Sequence, residues 1–391
     1  MKPQPLKIVV LGLSLSSSWG NGHATTYRAL LSAMARRGHD ILFLERDVPW
    51  YAENRDLSRP SYCRLALYRN AEQLERYAAE IAQADAVMVG SYVPQGIEVV
   101  DWVLATARGI TAFYDIDTPV TLAAVDAGKC EYLAARQIAD FDLYFSFTGG
   151  PVLDRLKGRY NARAARPLYC SVDPKLYHPL RVKRRWDLGY LGTYSADRQP
   201  TLDRLLIQAA RRRPDMRFVV AGPQYPDTRS WPTNVEHIPH LPPAEHARFY
   251  SSIGWALNVT RTDMIAAGFS PSVRLFEAAA CGAPVISDAW VGLETIFRPQ
   301  REILVAMNTS DVLKALDMRE QQRSRIGTAS RRRALAEHTA DHRAAQAEHE
   351  LRAMRVIKRT ERTSTARSRK PEQSLGTYVP HAARTFPPSS H

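Results

Sequence analysis

FSPSVRLFEAAACGAPVISDAWVGLETIF, residues 269–297, is the stretch whose reading decides the fold. A polar loop with Ser270, Pro271 and Ser272 opens onto a helical pattern carrying Arg274 and Glu277. Cys281-Gly282-Ala283-Pro284 stops that pattern, with glycine before proline as helix ends prefer. The apolar residues 285–287 then read as a strand. A helix start near Ser272 presents unbonded backbone N–H groups and the positive end of a helix dipole, which suits a diphosphate. Ser270, Pro271, Ser272, Arg274 and Glu277 are therefore candidate binding residues. Glu277 has two readings. It accepts hydrogen bonds from a ribose diol, or it is a helix carboxylate paired with Arg274, three residues back. Arg274 correspondingly faces the diphosphate or pairs with Glu277.

Outward from this stretch, strands alternate with helices on both sides. Strand patterns fall at 7–13, 40–45, 86–89, 110–115, 143–147 and 165–169, with helical patterns at 25–37, 71–83, 97–108 and 131–139. The continuous apolar run at 7–13 is typical of a strand covered on both faces. The alternation breaks at PKLYHPLRVKRR, residues 174–185, where two prolines and a charge cluster read as a linker. A second series follows: strands at 187–191, 217–221, 255–259, 285–287 and 303–306, with helices at 201–212, 244–251 and 273–280. Such alternation implies parallel sheets with right-handed crossovers. The expected organisation is α/β. A Rossmann-like domain over 1–173 and a linker at 174–185 precede a second Rossmann-like domain over 186–330. A helix over 331–357 and a disordered basic tail over 358–391 complete the chain. Ligands bind at the carboxyl ends of strands in such sheets, so two facing sheets make one cleft.

Length and composition agree. The chain has 391 residues, 45% of them hydrophobic, enough for two cores. The net charge is +13, but residues 351–391 alone contribute +7, which leaves a mild excess elsewhere. That weakens specific nucleic-acid binding as an explanation, and an anionic donor or peripheral contact with an anionic membrane accounts for it equally well. The four cysteines form no CxxC pair and no zinc-ligand spacing, so free thiols and a reducing cytoplasm are expected. Residues 1–24 carry the features of a weak signal peptide, yet the short apolar run followed by a glycine-containing turn and a helical pattern reads better as a first strand.

Three further motifs carry candidate chemistry. In DLGYLGTYSADRQP, residues 187–200, a strand ends in Gly192-Thr193-Tyr194 and a helix starts near Gln199. Small residues there let backbone N–H groups approach a phosphate, and Arg198 stands where it meets a diphosphate or is a surface arginine. In LSLSSSWGNGHATTYR, residues 13–28, Gly20, Asn21 and Gly22 form a turn after the first strand, with His23 as the polar candidate or a helix-end histidine. In FYDIDTPVT, residues 113–121, Asp115 and Asp117 end a strand. They bind acceptor hydroxyls or act as base, or Asp117 caps a turn. No metal site is assigned to them.

The 269–297 stretch resembles the C-terminal signature of the GT-B-fold "group 1" glycosyltransferases, and the chain looks most similar to the spore-maturation CgeB-like branch over about residues 5–345. The resemblance implies GT-B architecture, with two Rossmann-like domains facing a cleft. It implies transfer of a sugar from a nucleoside diphosphate sugar, used as co-substrate with no other cofactor, to an unidentified acceptor. Retention of configuration and metal independence are implied in the same way. Glu277 matches the superfamily's ribose-binding glutamate. Arg198 matches the basic residue that neutralises the leaving group; the second basic residue usually found soon after it is missing. The 20–23 loop would lie near sugar and acceptor. The superfamily's first glutamate falls at Phe269, which is not acidic, and Asp263 is the nearby substitute. A protein of this fold that binds nucleotide sugars without turnover is the alternative reading.

Overall fold

The computed structural model describes residues 4–19 and 22–368. The first half is a seven-stranded parallel sheet in the order β3-β2-β1-β4-β5-β6-β7. Its strands are β1 (Lys7–Gly12), β2 (Asp40–Arg46), β3 (Arg64–Tyr68), β4 (Ala86–Gly90), β5 (Ile110–Asp115), β6 (Leu143–Ser146) and β7 (Ala165–Pro167). The second half is a six-stranded parallel sheet in the order β10-β9-β8-β11-β12-β13. Its strands are β8 (Trp186–Leu191), β9 (Phe218–Ala221), β10 (Val235–Ile238), β11 (Ile253–Asn258), β12 (Val285–Ser287) and β13 (Leu304–Val305). Both sheets reverse direction of growth beside their first strand, which is the doubly wound pattern. Residues 174–185 hold no strand or α-helix.

The period of two along β1 explains why its residues need cover on both faces. Ile8 and Val10 enter one core with Tyr27, Leu30 and Phe43, while Val9 and Leu11 enter the other with Val100 and Phe113. Each such buried aliphatic side chain contributes roughly 1.5–3 kcal/mol. Tyr27 needs room: a Cβ on Gly90 would lie 1.7 Å from its hydroxyl. β1 is thus a central strand, between β2 and β4, as its apolar run implied.

The C-terminal region departs from the sequence reading. The single helix expected over 331–357 is two: α1 (Glu320–Glu337) and α2 (Ala340–Ser368). The disorder expected from 358 is corrected over 358–368, which continue α2; residues 369–391 lie outside the described part. The reason is packing. Ala344, Ala347, Leu351 and Met354 of α2 join the first domain's core. Its charges pair with that domain too, including Arg37–Glu348 at 2.6 Å, Arg166–Glu350 at 3.0 Å and Lys358–Asp142 at 2.6 Å. The chain therefore crosses from the second domain back to the first. It does so beside its outward crossing: Val172 N donates to His338 O at 3.1 Å, and Ala340 N donates to Val172 O at 2.9 Å.

Candidate functional site

The carboxyl ends of both sheets meet. On the second domain, β8 delivers Gly192, Thr193 and Tyr194, and the chain turns at Arg198 into a helix over Gln199–Leu202. Gly192 N donates to Ala221 O at 2.8 Å and Tyr194 N to Pro223 O at 3.0 Å, so the loops after β8 and β9 are stapled together. The approach is close enough to require glycine at 222, whose φ is 148° and whose Cβ would lie 2.1 Å from Gly192 O. Arg198 donates to Thr193 O at 2.7 Å, while its buried Nε has no partner. Burial lowers its pKa, and the Arg274 charge adds to the lowering.

Arg274 comes from the helix Val273–Ala280, whose N-terminus abuts the same loop. Its Nη2 would lie 2.5 Å from a Cβ on Gly192, and its guanidinium sits 4.7 Å from the Tyr190 ring centroid. It donates to Leu191 O, and to Asn258 Oδ1 at 3.2 Å. Neither Arg198 nor Arg274 has a carboxylate within ion-pair distance among the described residues. Two guanidinium groups thus converge beside a helix start, with Asp197 and Glu277 acting on them only from beyond ion-pair distance. Ser272 leaves that start uncapped, because its hydroxyl donates to Asn258 Oδ1 at 2.7 Å. Asn258, fully buried at the end of β11, fixes both residues and was not singled out from the sequence.

Other candidates fall differently. Ser270 is buried, its hydroxyl 2.9 Å from that of Thr148 in the first domain. Pro271 O accepts from the Cys170 thiol at 3.1 Å. Both therefore serve the joint between domains rather than an open face, a correction to their place among the binding residues. Glu277 is 5% exposed, with the Tyr250 hydroxyl at 3.5 Å, and makes no ion pair with Arg274. Phe269 adopts φ 45°. Its ring fills the space left by two glycines: a Cβ on Gly150 would lie 2.3 Å from it, and one on Gly292, 2.5 Å. Its carbonyl accepts from Gly149 N at 2.9 Å. An aromatic wedge between the domains thus occupies the position where an acid was expected.

On the first domain Asp115 is fully buried at the end of β5. It accepts from Tyr144 Oη at 2.6 Å, Thr121 Oγ1 at 2.7 Å and Asp117 N at 3.2 Å. Burial raises its pKa to about 6 against those bonds. Enclosed by its own donors, it is a scaffold carboxylate, which corrects its placement among catalytic candidates. Asp117 does face the cleft. It accepts from Tyr92 Oη at 3.1 Å and lies 3.6 Å from Arg261 of the second domain. Burial raises its pKa, partly offset by Arg261. The His23 ring meets Tyr92 edge-on at 5.3 Å. Burial lowers the His23 pKa to about 4, so it is neutral at pH 7. Gly22 opens the helix Gly22–Arg36, whereas Gly20 and Asn21 lie outside the described residues. Asp263 is exposed and its charge acts on Asp117.

Sequence reasoning also missed Glu45. Fully buried at the end of β2, it accepts from Leu15 N at 2.6 Å, Ser16 N at 2.8 Å, Ser16 Oγ at 2.6 Å and Ser14 Oγ at 3.1 Å. One carboxylate so shapes the loop that leads to residues 20–23. Among the described residues no three His, Cys, Asp or Glu side chains gather as metal ligands, and no helix is long and apolar enough to cross a membrane.

Comparison with known proteins extends this geometry. A family model described as glycosyl transferase-like matches residues 198–349. No curated protein matches the chain. Among solved structures, sucrose-phosphate synthase from Thermosynechococcus elongatus is similar at 14% identity and TM-score 0.64, over 89% of this chain and 99% of that one. HepE of Anabaena, in complex with UDP and glucose, is similar at 14% identity and TM-score 0.63, over 89% and 100%. A UDP-forming trehalose-phosphate synthase from Burkholderia xenovorans, in complex with glucose-6-phosphate, gives 11% identity and TM-score 0.60, over 88% and 100%. The chain accordingly has the GT-B fold, and its region 198–349 is glycosyl transferase-like in sequence.

Proposed function

We propose that the protein transfers a sugar from a nucleoside diphosphate sugar to an acceptor held by the first domain. The observation that carries this reading is the Arg198–Arg274 pair, two cations with no carboxylate partner beside an uncapped helix start. Such a site favours a diphosphate and stabilises it further as it departs with negative charge. Glu277, one turn along the same helix, is the group for the ribose. UDP is the first donor base to test, because HepE holds UDP and glucose. Retention, independence of metal, a cytoplasmic location, contact with a membrane surface and kinship with the CgeB-like branch belong to the proposal.

Asp117 is the acceptor-side carboxylate in this reading, with Tyr92 and neutral His23 behind it. Its raised pKa suits a group that exchanges a proton with a sugar hydroxyl. A second reading, a nucleotide-sugar-binding protein without turnover, is favoured by Phe269, which places a ring where a sugar-contacting acid was expected.

Calorimetry with UDP tests the carrying observation. Arg274→Ala and Glu277→Ala are each expected to weaken UDP by about 1.5–3 kcal/mol, the range for a hydrogen bond to a charged group. Unchanged affinity in Arg274→Ala would sink the site. UDP release from UDP-sugars then separates the two readings. Release supports transfer, and tight UDP-sugar binding with no release at any acceptor supports the inactive protein.

A further inference from the structure

A second cavity lies on the donor domain, in a place the proposed chemistry does not use. It encloses about 240 Å³ between the helical segment 199–212 and the loop after β9. Tyr194, Tyr225 and Trp231 form its aromatic side, and Gln199, Asp203 and Arg211 supply polar groups. Tyr225 contacts both Tyr194 and Trp231 edge-on, at centroid distances of 5.6 and 5.4 Å. Neither Arg198 nor Arg274 lines it. The stapled loops 192–194 and 222–225 stand between, with Tyr225 Oη donating to Gly192 O at 3.2 Å.

The helix is deformed where it faces this cavity. Gln199–Leu202 and Gln208–Arg212 are α-helical, but Asp203–Ile207 is a π turn. Residues 199, 203, 207 and 211 all line the space. In a regular helix of 3.6 residues per turn, side chains four apart drift by about 40° at each step. The wider π turn opposes that drift and keeps the four on one side. Such single π turns inside α-helices are frequent at functional sites. The polar groups are also held in place: Gln199 donates to Asp203 at 2.8 Å, and Arg211 to Ser230 O at 3.4 Å.

We propose that this cavity is a carbohydrate subsite, separate from the nucleotide site. A sugar hydroxyl both donates and accepts. The lining offers an acceptor-only carboxylate at Asp203, a donor-only guanidinium at Arg211 and an amide that does both at Gln199. The three rings on its lining supply apolar surface for the C–H side of a pyranose. A phosphate would face the carboxylates of Asp203 and Asp227 with Arg211 as the lining cation. An apolar ligand would leave the remaining hydrogen-bonding capacity of Gln199, Asp203 and Arg211 unused and partly cut off from water. Tyr194 links the cavity to the loop that bears Arg198, so a saccharide held there stays attached to the donor domain.

Ligand-observed saturation-transfer NMR tests this with glucose, galactose, N-acetylglucosamine and maltose as probes, on the full chain. At least one is expected to bind saturably. Asp203→Asn, which preserves shape, and Trp231→Ala should each weaken it about tenfold. UDP affinity, measured in parallel, should be unchanged in both. Binding of none of the four sugars, or binding indifferent to both substitutions, overturns the proposal. Loss of UDP affinity in Trp231→Ala overturns it too, because the cavity would then belong to the nucleotide site. Sugar binding is read without UDP, so it stands or falls independently of the donor assignment.

Discussion

The two sheets end in opposite electrostatic conditions. On the first domain, strand-end carboxylates Glu45 and Asp115 are fully buried and surrounded by hydroxyl and N–H donors of their own chain. On the second, the guanidinium groups of Arg198 and Arg274, at two helix starts, approach one another with carbonyl partners and no carboxylate within ion-pair distance among the described residues. Charge on the first side has been consumed to shape loops. Charge on the second side lacks an ion-pair partner, which is why the proposed donor site is placed there. Satisfied buried groups are scaffold, and unsatisfied convergent ones mark a site.

Four substitutions probe that contrast. Glu45→Ala should have the largest effect. It leaves three buried donors, Leu15 N, Ser16 N and Ser16 Oγ, without an acceptor, while Ser14 Oγ keeps Ser17 O, and it should cost roughly 3 kcal/mol or more, seen as a lower denaturant midpoint. A loss under 1 kcal/mol would mean water replaces the carboxylate and the scaffold reading is wrong. Asp115→Asn isolates a pH effect. The folded Asp115 has a pKa of about 6, above the ordinary carboxylate value, so the folded state holds this proton more tightly. Its contribution to stability is full below about pH 4 and is lost as pH rises through 6. The Asn variant, neutral throughout, should therefore gain on the native chain by roughly 2.5 kcal/mol between pH 4 and pH 7. A flat difference across that range removes the argument.

Arg198→Met comes next. It should weaken UDP by about 2 kcal/mol while leaving the stability of the ligand-free protein within about 0.5 kcal/mol, because it relieves a like-charge contact. If stability fell as far as in Glu45→Ala, the two sheet ends would not differ in kind. Smallest is Arg261→Ala, which breaks the 3.6 Å pair with Asp117 across the cleft. A half-exposed pair of this sort contributes at most about 1 kcal/mol. The expected readout is an easier separation of the domains by small-angle scattering, with little change in midpoint.

Much of this was legible in the sequence. The continuous apolar run of β1 and the helix-stop at Cys281-Gly282-Ala283-Pro284 each have a local cause, so each reads from neighbours alone. Arg274 was legible as a candidate for the diphosphate, but its meeting with Arg198 was not. Arg274 lies 76 positions beyond Arg198, and only the crossover packing brings the two together. The edge strands β3 and β10 escaped too, because Arg64 and Glu236 interrupt the apolar pattern where one side meets solvent. Asp115 misled for a related reason. A carboxylate at a strand end looks the same in sequence whether it meets a cleft or Tyr144, a hydroxyl from the neighbouring strand. Residues 358–368 looked disordered by composition, yet α2 carries them against the first domain through Lys358 and Glu361, which pair with Asp142 and Arg163.

The pairing of Val172 with His338 and Ala340 has a mechanical consequence. The polypeptide passes between the two halves twice, and the passes are bonded side by side. Two leaves fastened along one edge by paired pins turn about that edge and resist twisting or sliding. Two bonded passes oppose twisting of one half against the other more than a single pass would. A chain with one unpaired pass would wander through many orientations. Here the second pass, bonded to the first, narrows that range.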